Sequence, residues 1–359
     1  MKDPGSLQNF NALHSVYAER FPPRSGAPTM LTPPLAIPVN PRTFGRRVVS
    51  LRGVASLFLC AFVFSANALA PQGSSQLPPK SPGRYLERMS SGGLNRQYVL
   101  RVPSAYNRSR PLPLVVLLHG WTGTAAAIES HTGFGDKAER EGFVLAVPEG
   151  LGRPQAWNVG FLDLTGNQHP NDAAFVADLI DQVKKEVGID PNRVFVAGHS
   201  NGAMLAHLVG AKYGDRVAAI GVVAGTIGLP SSQLRVKSIP PAVRPVSVMI
   251  LHGRKDGMVA YDSRAQALLM GIGAPRSAQW WAQADGCPGQ PTLSVSPDHN
   301  VELTRYAGGR ENTEVQLMTI NNGIHDWPGG SNELGRERTT HISATDVLWD
   351  FFVKHPRRG

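Results

Sequence analysis

Residues 193–209 read Arg-Val-Phe-Val-Ala-Gly-His-Ser-Asn-Gly-Ala-Met-Leu-Ala-His-Leu-Val, and the fold follows from how this stretch changes period. An apolar run, Val194 to Ala197, stops at Gly198-His199-Ser200-Asn201-Gly202, after which Met204, Leu205, Leu208 and Val209 recur at helical spacing. A strand, a tight turn and a helix result. Gly198 and Gly202 lack Cβ, so the turn can be sharp and lift the Ser200 hydroxyl out at the C-terminal end of the strand. Asn201 opens the helix, and its N–H, unpaired at a helix N-terminus, points where a developing oxyanion would sit. The Gly-x-Ser-x-Gly match is weak on its own in a chain with 38 glycines; the strand before it and the helix after it make it strong.

Outward from this turn the pattern repeats. Leu112 to Leu118, Phe143 to Val147, Val217 to Val223 and Val246 to Leu251 are continuous apolar runs of the kind buried on both faces. Helical patterns lie between or beside them at Asp136 to Glu141, Ala173 to Val187 and Ala203 to Tyr213. Alternating strands and helices imply an α/β fold with a mostly parallel central sheet and helices on both faces. Arg96 to Val102 alternates like an edge strand. Beyond Arg264 come a helix with Trp280 and Trp281, two β-rich segments (Val301 to Tyr306 and Val315 to Ile320) and a last helix, Ala344 to Val353. One domain, 84–356, accommodates all of these.

The N-terminal part reads differently. Residues 1–41 are rich in Pro, Ser and Asn without periodicity, a disordered leader or a mis-assigned start. Residues 42–70 have the layout of a secretory signal: Arg42, Arg46, Arg47 and Arg52, an apolar run from Val54 to Phe64, then small residues with cleavage expected after Ala68 or Ala70. The run is too short to span a membrane, so no stable membrane anchor is expected once the signal is cut, and the location is extracellular or periplasmic. Leu59 is too large for the residue before a lipidated Cys60, and the sequence after Arg46-Arg47 does not complete a twin-arginine signal. Residues 71–83 are a Pro/Ser/Gly linker. Five of the nine net positive charges lie in residues 1–70, and the rest of the chain has no basic run longer than Arg357-Arg358, which argues against nucleic acid as a partner.

A serine hydroxyl needs a base to attack a carbonyl and an acid to orient that base. In α/β-hydrolases these follow in the order Ser, Asp or Glu, His, each in a loop after a strand. Asp256 stands in His252-Gly253-Arg254-Lys255-Asp256-Gly257 just past Val246 to Leu251, with Asp262 its near rival. His325 follows Val315 to Ile320 on a glycine-rich loop, with His341 as the alternative; His119 and His207 read as packing residues. Ser200, Asp256 and His325 are therefore the expected catalytic residues, with backbone N–H groups of Trp121 and Asn201 as the oxyanion hole. The Trp121 donor sits in the loop after Leu112 to Leu118, where Gly120 lets the backbone turn. Trp157 and Trp327 are expected to offer flat apolar surfaces to the acyl group. No metal and no cofactor is called for: there is no His-Glu-x-x-His, and two cysteines cannot make a thiolate zinc site.

Leu118-His119-Gly120-Trp121, Trp157-Asn158, Asn171-Asp172-x-x-Phe175, the Ser200 turn, His252-Gly253-x-x-Asp256-x-x-Val259-x-Tyr261 and His325-x-Trp327-Pro328-Gly329-Gly330 together resemble the secreted polyhydroxybutyrate depolymerase and feruloyl esterase group, carbohydrate esterase family 1. The resemblance spans about 84–356. It implies a cofactor-free serine esterase with the α/β-hydrolase fold, acting through an acyl-enzyme on polyester oligomers or on feruloyl and acetyl esters. A peptidase or thioesterase of the same fold, or a non-catalytic binding protein on a hydrolase scaffold, are the competing readings. Two positions depart from the group's pattern. Cys287 lacks the partner cysteine that members often carry, since Tyr306-Ala307-Gly308-Gly309 offers none, and Ala260 stands where proline is usual.

Overall fold

The computed structural model describes residues 80–230, 236–262, 267–269, 271–331 and 342–358, all within one compact unit, Gln76–Gly359. The segments expected to be a leader and a secretory signal, most of the expected linker, and His341 lie outside the described residues.

Twelve strands and six helices are named here in chain order. They are β1 (Gly83–Ser91), β2 (Leu94–Val102), β3 (Leu112–Leu118), α1 (Ala125–Thr132), α2 (Phe134–Glu141), β4 (Val144–Pro148), α3 (Asp172–Glu186), β5 (Ile189–His199), α4 (Asn201–Lys212) and β6 (Ala219–Val223). After these come β7 (Gly228–Pro230), β8 (Val236–Ser238), β9 (Ser247–Gly253), α5 (Ala274–Asp285), β10 (Thr292–Val295), β11 (Val301–Tyr306), β12 (Val315–Ile320) and α6 (Ala344–Lys354). Ten strands make one sheet in the order β1-β2-β4-β3-β5-β6-β9-β12-β11-β10. From β4 to β12 all neighbours run parallel; β1-β2-β4 at one end and β12-β11-β10 at the other are antiparallel.

Pleating explains why the central strands are continuously apolar. On β3, Leu114, Val116 and Leu118 enter one core with Phe175 and Leu179 of α3, Leu205 and Val209 of α4 and Trp281 of α5. Val115 and Leu117 point the other way, into a second core with Ile128 of α1, Phe134 of α2 and Leu348 and Phe352 of α6. Each face therefore demands an apolar residue. The second core is fixed partly by rings, with Phe195 of β5 stacked on Phe352 at 4.7 Å between centroids.

The expected α/β architecture is observed, with two local differences. Arg96 to Val102 is not an edge: β2 is covered on one side by β1, which turns back through Gly92-Gly93, and pairs with β4 on the other. Helix α1, whose sequence Ala-Ala-Ala-Ile-Glu-Ser-His-Thr carries little apolar periodicity, is held by its Thr124 cap, which accepts from the Ala127 N–H. Among the described residues no helix is long and apolar enough to cross a membrane.

Candidate active site

Ser200 occupies the corner between β5 and α4 at φ 54° and ψ −119°, a backbone conformation that costs an L-residue on the order of 1–3 kcal/mol and holds the side chain at the strand end. The two glycines make the corner sterically feasible. A Cβ on Gly198 would lie 2.3 Å from the Gly202 carbonyl oxygen, and one on Gly202 would lie 2.4 Å from the carbonyl oxygens of both Leu118 and His119. Helix α4 thus starts directly against the end of β3. The Ser200 N–H is tied to Val223 on the neighbouring β6 at 2.9 Å, which anchors the corner to the sheet.

Three residues read from separate loops meet here. His325 Nε2 stands 3.0 Å from Ser200 Oγ, and His325 Nδ1 stands 2.8 Å from Asp256 Oδ2. Asp256 is buried in the turn after β9, where its Oδ1 accepts the N–H groups of Met258 and Val259, both at 2.8 Å. Burial alone would raise its pKa. Hydrogen bonds from His252 and His325, and their charge, outweigh that and hold the carboxyl well below the usual carboxylate range. Asp256 is therefore an anion at every pH at which the protein would work. His199, beside the serine, has its ring 5.1 Å from that of His325, and burial followed by the His325 charge lowers its pKa to about 3, so it stays neutral.

The loop after β3 passes over the serine: a Cβ on Gly120 would lie 3.3 Å from Ser200 Cβ. This brings Trp121 and Asn201 to the same corner from two sides. His119 Nε2 accepts the Gly150 N–H at 2.9 Å, so Nδ1 carries the proton and donates to the Gly120 carbonyl at 2.8 Å. Burial lowers the His119 pKa to about 4 and keeps the ring neutral in this role. Its reading as a packing residue is correct, and what it packs is the loop that faces the serine.

Trp157 and Trp327 are the correction. Both are fully buried, and neither presents a face to a substrate. Trp157 donates through Nε1 to the His119 carbonyl at 2.8 Å and packs on the His119 ring, while its own backbone is held at both ends by the Asn201 amide, at 2.8 and 3.2 Å. Trp327 donates to Thr345 Oγ1 at 3.1 Å, and that hydroxyl donates to the Thr132 carbonyl at 2.6 Å. Trp327 thereby ties the loop carrying His325 to the ends of α1 and α6. Apolar area at these positions is spent on core packing.

The sequence reading missed the support under Trp157. Arg96 and Asp172 form a buried pair at 2.6 Å, the guanidinium lies 3.8 Å above the Phe175 ring, and the second carboxylate oxygen accepts the Asn158 N–H at 2.7 Å. The signal was present in Trp157-Asn158 and Asn171-Asp172-x-x-Phe175, which look like unrelated motifs until the chain brings them together. No group of three or more metal-ligating side chains occurs among the described residues.

Sheet order, serine corner and helix placement define the α/β-hydrolase fold. Residues 96–244, the segment that contains Ser200, match the family described as Esterase PHB depolymerase. Feruloyl esterase B of Piromyces equi is 27% identical over 237 residues, which is 64% of this chain and 42% of that protein. The chain thus matches less than half the length of that relative. A putative esterase, NocK, of Nocardia uniformis subsp. tsuyamanensis is 26% identical over 286 residues, covering 71% of this chain and 76% of the relative. The solved acetyl xylan esterase from Aspergillus awamori superposes with a TM-score of 0.54 at 18% identity, over 75% of this chain and 99% of that one, a likeness of fold.

Proposed function

We propose that the protein is a secreted serine esterase that hydrolyses carboxylic esters through an acyl-enzyme, with the hydrogen-bonded line Asp256–His325–Ser200 as the observation that carries the reading. His325 Nε2 takes the Ser200 proton as Oγ bonds to the ester carbonyl carbon, and the carbonyl oxygen becomes an oxyanion. The N–H groups of Trp121 and Asn201 are the donors assigned to that oxyanion; the Ser200 N–H is already committed to Val223. Collapse breaks the bond to the alkoxide, which leaves as the alcohol with the proton from His325. Water then repeats the sequence: it gives its proton to His325, attacks the acyl carbon, and releases the carboxylic acid and free Ser200. Asp256, fixed by two backbone donors, holds the ring with Nδ1 protonated and steadies the imidazolium that forms at each step.

The substrate class rests on relatives rather than on lining residues. Feruloyl and acetyl esters of plant-wall polysaccharide and hydroxybutyrate oligomers are the candidates, and export through residues 42–70 suits such large substrates. Short p-nitrophenyl esters, methyl ferulate and hydroxybutyrate oligomers, assayed with the purified protein and Ser200→Ala, test this. Turnover of at least one ester and its loss in Ser200→Ala is the expected result. Inertness toward all three, with turnover of a peptide or acyl-CoA, would replace the esterase reading with a peptidase or thioesterase one.

A further inference from the structure

We propose that His252 is a positioning residue for this reaction, a second imidazole donor to Asp256, and that His207 completes a buried polar relay behind it. The proposal rests on the triad reading above. His252 is the penultimate residue of β9, its side chain is fully buried, and its Nε2 faces two acceptors at once, the Val259 carbonyl at 3.0 Å and Asp256 Oδ2 at 3.2 Å. A carbonyl only accepts, so Nε2 carries the proton. Asp256 Oδ2 is then shared between two rings while Oδ1 takes two backbone donors, and all four acceptor sites of the carboxylate are filled.

The far side of His252 carries the second half of the argument. In the neutral ring Nδ1 is an acceptor, and it is buried without a protein partner. On α4, His207 receives the Trp281 Nε1–H at Nδ1 at 2.9 Å, so its own proton sits on Nε2, which is also buried without a protein partner. One orphan is an acceptor and the other a donor, and the two rings lie within electrostatic reach of each other. Neither nitrogen reaches the other directly, and one water held between them satisfies both, which is how buried polar groups are normally accommodated. The relay then runs Trp281, His207, His252, Asp256, His325, Ser200.

Other groups around this line are few. His325 faces Asp256 from the loop after β12, and His199 senses the carboxylate from the end of β5. The Tyr261 ring meets His252 edge-on at 5.9 Å, its hydroxyl bonded to Thr319 of β12 at 2.7 Å, and the Arg254 guanidinium lies 5.1 Å from that same ring. None of these supplies a second N–H to Asp256 Oδ2. Removing the His252 donor leaves the carboxylate less neutralised, so His325 holds its proton more tightly and the acid limb of kcat/KM moves to higher pH.

The test compares His252→Phe, which keeps the bulk and loses the donor, with His252→Gln, whose amide can reach the same position. His252→Phe should lower kcat about tenfold and move the acid limb up by about half a pH unit or more, with KM little changed, while His252→Gln recovers most of both. On the wild-type protein, long-range nitrogen–proton correlation of the histidine rings should show His252 and His207 both as Nε2–H tautomers. This second readout does not depend on the variants folding. A folded His252→Phe with the wild-type pH profile, or a His252 ring protonated at Nδ1 alone, overturns the proposal. Ser200→Ala assayed alongside keeps the cases apart: activity surviving there defeats the triad reading, whereas the tautomers report on the relay alone.

Discussion

Asp285→Asn should remove the contribution that this carboxyl makes to the loss of stability as pH rises, about 3 kcal/mol between pH 5 and pH 8.5. Asp285 is the last residue of α5 and fully buried; Oδ1 accepts the Val246 N–H at 3.2 Å and Oδ2 has no protein partner. A carboxylate there is taken out of water and sits at the negative end of a helix, and burial, only partly offset by the Val246 donor and by Arg310, raises its pKa to about 7. The sign follows from linkage. The folded pKa lies above the unfolded value of about 3.9, so the contribution is fully present below pH 4 and is lost as pH climbs through 7. A shift of about three units is worth about 4 kcal/mol, of which about 3 kcal/mol falls between pH 5 and pH 8.5. Asparagine fills the same space without charge. Urea unfolding of wild type and Asp285→Asn at the two pH values measures the difference, which should grow by about 3 kcal/mol in favour of the variant from pH 5 to pH 8.5. Parallel pH dependences for the two proteins would refute the reasoning.

Trp327→Ala should destabilise by about 3–5 kcal/mol through loss of core packing and the Thr345 bond, and fluorimetric unfolding should register this while KM in the folded fraction stays near wild type. Gly202→Ala sets a Cβ against two backbone carbonyl oxygens at 2.4 Å, so α4 must move off β3; activity should fall at least about tenfold as Ser200 shifts, with a loss of 2 kcal/mol or more, roughly, in unfolding. Gly309→Cys places its Cβ 3.1 Å from Cys287 Sγ, a separation that suits a disulfide, at a φ of −63° open to any residue. Thr313 Oγ1 obstructs the new Cβ at 2.4 Å, so the change is paired with Thr313→Ala, and the bridge should add about 3 kcal/mol, lost on adding reductant.

The fold was legible because the central strands are buried on both faces. Runs such as Leu112 to Leu118 have no polar residue to confuse their reading, and the Ser200 corner declares itself through two glycines whose missing Cβ atoms the structure requires. Strand β1 was missed because Gly83–Ser91 lies at the edge and is mostly exposed, leaving a weak alternation; its signal was Gly92-Gly93, both at positive φ, which closes the β1–β2 hairpin. The three residues at the serine corner could be placed by their order in the chain, each just past a strand, since parallel strands bring their C-terminal ends together. The roles of Trp157 and Trp327 could not. An indole beside a site motif reads the same in sequence whether it faces a ligand or a core, and only the partners of its N–H, here His119 and Thr345, decide. His252 was visible in the same motif as Asp256, but its second contact depends on how the turn folds back on β9.

Covalent labelling of the wild-type protein with a fluorophosphonate, followed by intact-mass and peptide analysis, tests the central claim most directly. A single adduct on Ser200 is predicted, absent from Ser200→Ala and slowed in His325→Ala, with loss of ester hydrolysis tracking the labelled fraction. No adduct, an adduct on another residue, or hydrolysis that persists in fully labelled protein would contradict it.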